Sequence, residues 1–309
     1  MGDRCGAEWR GVLGKLCSAD AAHVRTSPAT EWVRCSLCAI DDVEAIANQG
    51  GFRIVRCRSC GLVYVNPRPV DLVSLYAQYH ARDGETEASW DGLMGGIYRQ
   101  AAELLCSSRK GSRPGRLLDV GCGYGAFVSA MRERGWDAEG VDPSPAVVAA
   151  AARKGRQVRL GTLEGLESEV GIYDAITMFY VLEHLPDPIG ALRKVSALLV
   201  PGGTLLLRVP HTTPLVQFLS CFGLGGALYD PPYHLYDFSP VVLRKMLQRT
   251  GFADVRTFPG APTVPYHLGA RIASLCFGTL ASGIHTLTRG AVLLPGVSKT
   301  TIARRLSEE

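Results

Sequence analysis

The sequence predicts an α/β protein: a mostly parallel sheet with helices on both faces, preceded by a small cysteine-paired ribbon. Three observations carry this. From residue 116 onward, apolar runs of strand length alternate with helical patterns, and such alternation builds parallel sheets. The first of these runs, Leu117-Leu118-Asp119-Val120, passes into a glycine-rich turn, Gly121-Cys122-Gly123-Tyr124-Gly125, and then into an apolar-periodic helix. Upstream, two C-x-x-C pairs stand 18 residues apart.

The chain has 309 residues, enough for one large domain and a small one. Hydrophobic residues make up 47% and charged residues 20%, so a sizeable core is available. A net charge of +4 is too mild to mark a nucleic-acid binder. No apolar run reaches the length of a membrane-spanning helix. The opening Met1–Arg10 carries Asp3 and Glu8 and lacks the apolar core of a secretory signal. Ten cysteines are too dilute for a disulfide scaffold, and a reducing cytoplasm is the simplest reading.

Residues 1–30 show no periodicity and read as a loosely ordered arm. Residues 31–70 hold Cys35-Ser36-Leu37-Cys38 and Cys57-Arg58-Ser59-Cys60, a spacing read as a zinc site. Each pair forms a tight knuckle with two thiolates on one face, and two knuckles complete the closed tetrahedron of structural zinc. Gly51–Arg56 and Leu62–Val65 read as the strands of this ribbon. Asn66-Pro67-Arg68-Pro69 ends it, because proline cannot continue a central strand. Residues 71–110 read as a helical linker or lid carrying Tyr76, Tyr79, His80 and Tyr98.

The main domain is expected over 111–260. Its strands are 116–120, 138–141, 173–179 and 204–209. Helices are expected to open at Ser144-Pro145, with Ser144 as cap, at Asp187-Pro188 and at Ser239-Pro240, since proline suits the first helical position. Glycines close two of them, at Gly155 and Gly251. The tail, 261–309, reads as helical, and Ile272–Thr288 is free of Asp, Glu, Lys and Arg. It is too short and too rich in Ser, Thr and Gly to span a bilayer. Packing on the core or a dimer partner is one placement for it, and contact with a membrane surface is the other.

The glycine turn also fits the dinucleotide fingerprint G-x-G-x-x-(G/A). Asp119 argues against a pyrophosphate there, because a carboxylate two residues before the first glycine would repel it. The same carboxylate suits a cationic amino-acid moiety.

Leu117–Phe127 resembles the first motif of class I S-adenosylmethionine (SAM)-dependent methyltransferases. Gly140-Val141-Asp142-Pro143-Ser144 is similar to their second acidic motif. Tyr173–Ile176 and Tyr180–Pro188 resemble the fourth-strand region, and Leu199–Thr204 the turn before strand five. The resemblance implies a doubly wound, seven-stranded Rossmann-like sheet. It puts Asp119, Gly121, Cys122, Gly123 and Gly125 under the methionine part of SAM, and Asp142, followed by Pro143, at the ribose hydroxyls. It puts Thr162 and Leu163 at the adenine, and the backbone of Phe179 beside the methyl donor. A ribbon followed by Gly61–Pro69 and a SAM domain, with the later motif Pro232–Pro240, is similar to a bacterial group linked to sugar methylation in polysaccharide and natural-product pathways.

Methyl transfer needs alignment and, for a hydroxyl or carbon acid, a base. His184 is the first candidate, with neighbouring Glu183 orienting it or acting itself. In an extended stretch the two would point opposite ways. Tyr180 is a third candidate by the same resemblance. His211 and His234 flank an apolar, glycine-rich insertion, Thr212–Pro231, that reads either as a substrate cover or as a packing helix.

The expected acceptor is a small molecule or glycan, foremost a sugar. A quinone or other aromatic O-methylation is the alternative, since Tyr180–Pro188 is also similar to the ubiquinone O-methyltransferases. An RNA reader is weighed as well, but residues 31–70 mix five arginines with four acids and show no basic stripe. Monomer and homodimer are both left open.

Overall fold

The structure, a computed structural model, describes residues 29–72, 75, 87–108, 115–166, 169–220, 228–262, 268–290, 292–294 and 298–307. Residues 1–28 of the expected N-terminal arm, Tyr76, Tyr79, His80 and residues 221–227 of the apolar insertion lie outside the described residues.

One seven-stranded sheet dominates. It is built from β6 (Arg116–Val120), β7 (Asp137–Asp142), β8 (Val158–Leu160), β9 (Tyr173–Phe179), β10 (Leu199–Val209), β12 (Phe252–Pro259) and β13 (Lys299–Arg305), in the order β12-β13-β10-β9-β6-β7-β8. The run from β10 to β8 is parallel, while β13 pairs antiparallel with both its neighbours. Parallel strands covered on both faces read as continuous apolar runs. Leu117, Leu118, Ile176, Met178 and Leu205–Leu207 are accordingly all buried. From β6 the chain winds outward through β7 and β8, then returns to the other side through β9 and β10. The order therefore reverses between β6 and β9, and ligands of such sheets bind in the crevice at that switch point.

Helices cover both faces: α1 (Glu87–Ser108), α2 (Ala126–Arg132), α3 (Pro145–Arg153), α4 (Pro188–Leu198), α5 (Thr213–Ser220), α6 (Pro240–Arg249) and α7 (Leu268–Leu287). Asp187 caps α4 by accepting from the Gly190 amide at 2.9 Å, and Ser239 caps α6 through Val242 N at 3.2 Å. Ser144 precedes α3 but makes no side-chain cap, contrary to expectation. Its amide donates to Asp142 Oδ1 instead, at 2.9 Å, so the carboxylate two residues earlier organises that turn. Met94, Ile97, Ala101 and Leu105 of α1 pack with Phe127, Val128 and Met131 of α2 and with Leu117 and Leu206 of the sheet.

The ribbon is a four-stranded sheet in the order β11-β4-β3-β2, from β2 (Val43–Gln49), β3 (Phe52–Cys57), β4 (Val63–Val65) and β11 (Tyr236–Asp237). Its last strand comes from the far half of the chain, pairing Tyr236 with Tyr64. Short β1 (Thr30–Glu31) and β5 (Arg68–Pro69) pair beside it. Cys35, Leu37, Val55, Leu62 and Tyr64 share one buried cluster with Leu192, Phe238, Leu243 and Met246. Ribbon and main domain thus have a common core.

Two sequence expectations are corrected. The tail is not helical throughout: Lys299–Arg305 forms β13, inside the main sheet between β10 and β12. Its Thr-Thr-Ile-Ala centre suits a strand, and the flanking Lys and Arg disguise it. Strand β10 begins at Leu199 rather than Thr204, with an irregularity in its pairing to β9 between those residues. On α7, Ile272, Leu275, Phe277 and Leu280 are exposed. Among the described residues, no helix is long and apolar enough to cross a membrane.

Candidate active site

The glycine turn after β6 requires its glycines. Gly121, Gly123 and Gly125 adopt φ of +67°, +53° and +74°, a region that L side chains rarely enter. At Gly121 a Cβ would also collide with Val181 Cγ2, and at Gly125 it would stand 2.6 Å from Val158 Cγ2. The contact at Gly121 brings the turn directly against the segment that follows β9. Gly121 and Cys122 N donate to Val141 O, at 2.8 and 3.2 Å. Gly123 N donates to Asp142 Oδ2 at 2.9 Å.

Two buried carboxylates close the crevice floor. Asp119, near the end of β6, accepts from Thr177 Oγ1 at 2.6 Å. Burial, with the Asp142 charge nearby, pushes its carboxyl up to about 7. Asp142 ends β7. The two acids thus sit near the ends of neighbouring strands, Asp119 opposite Gly140 and Asp142 two residues further along. Thr162 and Leu163 follow β8 at the start of a short 3₁₀ turn (Leu163–Gly165), with Leu163 buried, while Pro143 is exposed. Phe179 ends β9 and packs edge-on to Phe127 and Tyr98, with ring centroids 4.9 and 5.3 Å away. Trp90 of α1 lies over Gly123, its Nε1 3.9 Å from where a Cβ would be. Helix α1 therefore roofs the turn, and Trp90 has no motif that sequence reasoning could use.

After Phe179 the chain turns sharply. Tyr180 has φ +58°, and its amide donates to Arg208 O at 2.8 Å. Its hydroxyl accepts from Arg208 Nε at 2.8 Å and donates to Ser298 Oγ at 2.9 Å. Buried Arg208 also donates to Ala261 O at 2.6 Å. The phenol is thereby tied to β10 and the loop before β13.

Leu182–His184 forms a 3₁₀ turn rather than an extended stretch, so Glu183 and His184 do not point to opposite sides. Their ligating atoms, with one from His234, lie within 4.8 Å of one another. Glu183 is 0% exposed, and neither carboxylate oxygen has a hydrogen-bond partner. Desolvation pushes its carboxyl up to about 8. His184 Nδ1 is 2.9 Å from Tyr233 O, and the His184 and His234 rings stand 4.9 Å apart at 64°. The ribbon supports this turn through backbone bonds: Leu235 N donates to Glu183 O, and Val65 N to Leu235 O, both at 2.9 Å. Arg68 and Tyr236 both donate to Pro186 O, at 2.7 and 3.1 Å.

A cleft between the ribbon and the end of β10 opens beside these groups, lined by Tyr64, Pro210, Thr212, Tyr229, His234 and Asp237. Lys299 and His211 lie behind it, fully and largely buried. Lys299 Nζ donates to Pro210 O and stands 3.5 Å from His211 Nδ1. Burial pushes the lysine down to about 8 and the histidine down to about 4, the ammonium adding to the latter shift. Lys299 lies in the tail that the sequence reads as helical, where nothing marks it as a site residue.

The four ribbon cysteines form a second centre. Cys35 and Cys60 Sγ are 3.4 Å apart, Cys38 and Cys57 Sγ 3.5 Å, and all four lie within 4.8 Å. These separations are far beyond a disulfide and close to the roughly 3.7 Å between thiolates that surround zinc with bonds of about 2.3 Å. Both knuckles close alike, Ala39 N bonding Cys35 O at 2.7 Å and Gly61 N bonding Cys57 O at 2.9 Å. The four thiols fit a structural zinc.

A family model described as a methyltransferase domain matches residues 97–257. The ubiquinone biosynthesis O-methyltransferase of Xanthomonas campestris pv. campestris is 34% identical over 170 residues, covering 52% of this chain and 71% of that protein. Its counterpart in Xanthomonas oryzae pv. oryzae is 32% identical over the same length. The four cysteines and ribbon strands β2, β3 and β4 lie outside the matched family region, whereas β11 lies within it. Among solved structures, a chain from the complex of the Haloferax volcanii Trm112 methyltransferase activator with a methyltransferase superposes with TM-score 0.52 at 15% identity, covering 74% of this chain and 97% of that one. Haemonchus contortus phosphoethanolamine N-methyltransferase 2, solved with S-adenosyl-L-methionine, gives 0.51 at 16% identity, covering 80% and 63%. At these identities the likeness concerns the fold. The glycine turn at the switch point, the acids on adjacent strands and the matched domain agree: this chain belongs to the methyltransferase-domain family and is a class I SAM-dependent methyltransferase.

Proposed function

We propose that the chain transfers the methyl group of SAM to a hydroxyl of a small hydroxylated aromatic or quinone-type acceptor. The carrying observation is the apposition of the glycine turn and the Glu183–His184 turn across one crevice. The glycine turn and Asp119 hold the methionine part of SAM, Asp142 the ribose, and Thr162, Leu163 and Phe179 the adenine and methyl-bearing side. Glu183 and His184 assist deprotonation of the acceptor, and Tyr180 shapes the wall between them and SAM. Transfer is then an in-line displacement: the acceptor oxygen bonds the methyl carbon as the carbon–sulfur bond breaks, and the sulfonium becomes a neutral thioether. Alignment in a closed crevice supplies much of the rate. The acceptor class rests on the likeness to the ubiquinone biosynthesis O-methyltransferases, 32–34% identical over 170 residues. Zinc held by Cys35, Cys38, Cys57 and Cys60 is structural.

A sugar acceptor is the second reading, favoured by the ribbon. Methyl-labelled SAM with a panel of catechols, hydroxylated quinols and nucleotide-linked sugars separates the two. Label is expected in a phenolic methyl ether. Label confined to the sugars would replace the first reading with the second.

Asp119 gives the site a pH signature. Its folded pKa, about 7, is raised above the ordinary 3.8. The stability it contributes is therefore complete below the ordinary carboxylate range and is lost as pH rises through 7. The ligand-free protein should lose melting temperature as pH rises from about 4 to about 7 and level off above, while affinity for cationic SAM rises with pH by up to about tenfold per unit until about pH 7. Asp119→Asn should flatten both trends, as read by thermal melts and calorimetry across that range. Parallel trends in the variant would remove Asp119 from the SAM site.

A further inference from the structure

Arg208 lies near the end of β10, 1% exposed, opposite Phe179 of β9 and Thr300 of β13 in the sheet register. Its guanidinium bonds only neutral oxygens. Nε donates to the Tyr180 hydroxyl at 2.8 Å, Nη2 to Ala261 O at 2.6 Å and Nη1 to Thr300 Oγ1 at 3.4 Å. Among the described residues no carboxylate stands within ion-pair distance of it. Buried charges are normally paired, because leaving water without a counter-charge is costly. This one is uncompensated and stands directly behind Tyr180, the wall of the crevice.

The surrounding contacts fix that arrangement. A Cβ at Gly260 would collide with Arg208 Nη1, so the loop after β12 closes on the guanidinium only with glycine there. Gly260 N donates to Ser298 O, and Ala261 N to Gln100 Oε1 of α1, both at 2.9 Å. Tyr180 holds φ +58°, a costly conformation for a residue with a side chain. Its amide and its phenol both bond Arg208, and the phenol donates onward to Ser298 Oγ. The guanidinium carbon is 5.4 Å from the centroid of the half-buried Tyr180 ring. On the elements packed round Arg208, the groups that titrate are the Tyr180 phenol after β9 and Lys299 at the start of β13. Lys299 turns away, to Pro210 O and His211 Nδ1. Helix α1 contributes the neutral Gln100, and the loop after β12 contributes backbone.

We propose that Arg208 is a positioning residue for methyl transfer: it fixes Tyr180 as the crevice wall and sets a buried positive charge behind it that favours acceptors reacting as oxygen anions. The inference rests on the reading of this crevice as the acceptor site and deepens it, by naming what stabilises the deprotonated oxygen. An acceptor packed on the crevice side of the Tyr180 ring lies about 9 Å from the charge, one ring contact of about 3.5–4 Å beyond the guanidinium–centroid distance. Across an effective dielectric of about 20, that charge lowers the pKa of the acceptor hydroxyl by about one unit. The hydroxyl yields its proton to the Glu183–His184 turn, its oxygen takes the methyl carbon, and the electron pair of the carbon–sulfur bond stays on sulfur. An effect of this size serves phenols, which ionise near the working pH, and not sugar alcohols.

The test uses the full zinc-loaded chain holding S-adenosylhomocysteine, titrated with 4-nitrophenol, whose anion absorbs visible light. The bound dye should ionise about one pH unit below the free dye. Arg208→Gln should return the bound midpoint to that of the free dye, whereas Arg208→Lys, which keeps the charge, should hold most of the shift. Tyr180→Phe removes the hydroxyl that anchors the guanidinium and should raise the midpoint as well. Retained affinity for SAM certifies the fold of each variant. If Arg208→Gln loses it, Tyr180→Phe decides, and an unmoved midpoint there counts against the proposal. No dye bound, a bound midpoint equal to the free one, or a shift that survives in folded Arg208→Gln overturns it. An Arg208-dependent shift in a protein that methylates only sugars would leave the buried charge standing and remove the phenol reading. Phenol methylation without such a shift would do the reverse.

Discussion

His184→Ala should lower turnover by about 10²–10⁴-fold while leaving SAM affinity unchanged, because a group that assists deprotonation acts on the chemical step. The geometry makes the separation clean. His184 lies in the Leu182–His184 turn, its ring set by Tyr233 O. The glycine turn proposed to receive SAM meets the same segment through Val181, whose position the substitution leaves alone. Glu183→Gln should behave similarly, since it keeps the shape of a buried side chain and removes its charge. Single-turnover kinetics with labelled SAM, read beside calorimetry, check both variants. Full turnover in His184→Ala would make the imidazole part of the wall.

Removing the ribbon zinc should have an effect of comparable size by another route. Apparent binding energies of structural zinc are about 10–16 kcal/mol, as large as the whole stability of an ordinary domain. Chelation, or Cys57→Ser at a fully buried thiol, should therefore release β2, β3 and β4. The consequence reaches the active site, because β11 pairs with β4 and Leu235 N holds Glu183 O. His234 sits on that same segment. We expect turnover to be lost together with hydrogen-exchange protection in Ile54–Val65 and Leu235–Asp237. Protection in β6 and β9 should survive longer, since their neighbours are other strands of the main sheet. A chelated protein with full protection and full turnover would show that the cysteines carry no structural ion.

Much of this was legible in the sequence because the signals are local. The turn from Leu117 to Phe127 announces itself by glycine spacing, and the structure gives all three alternate glycines positive φ. The cysteine knuckles are written in their spacing. Asp187-Pro188 and Ser239-Pro240 open helices where their chemistry requires. The rest depends on partners far away in the chain. Nothing near Tyr236 says that it will complete a ribbon begun at Val43. Nothing local marks Lys299 or Arg208 as buried, and their tertiary partners, Pro210 O and the Tyr180 hydroxyl, make that burial tolerable. The Glu183–His184 pair was visible as a motif, but its convergence depends on the turn being 3₁₀, and the third member, His234, reaches it from another segment.

The central claim is that this crevice binds SAM, with Asp142 on the ribose. Calorimetry of SAM binding to the wild-type chain and to Asp142→Ala tests it most directly. The account predicts one SAM per chain for the wild type, and for the variant a loss of at least about tenfold in affinity, since hydrogen bonds to a charged acceptor contribute about 1.5–3 kcal/mol. Equal affinity in the two proteins, or no SAM bound by the folded wild type, would contradict it.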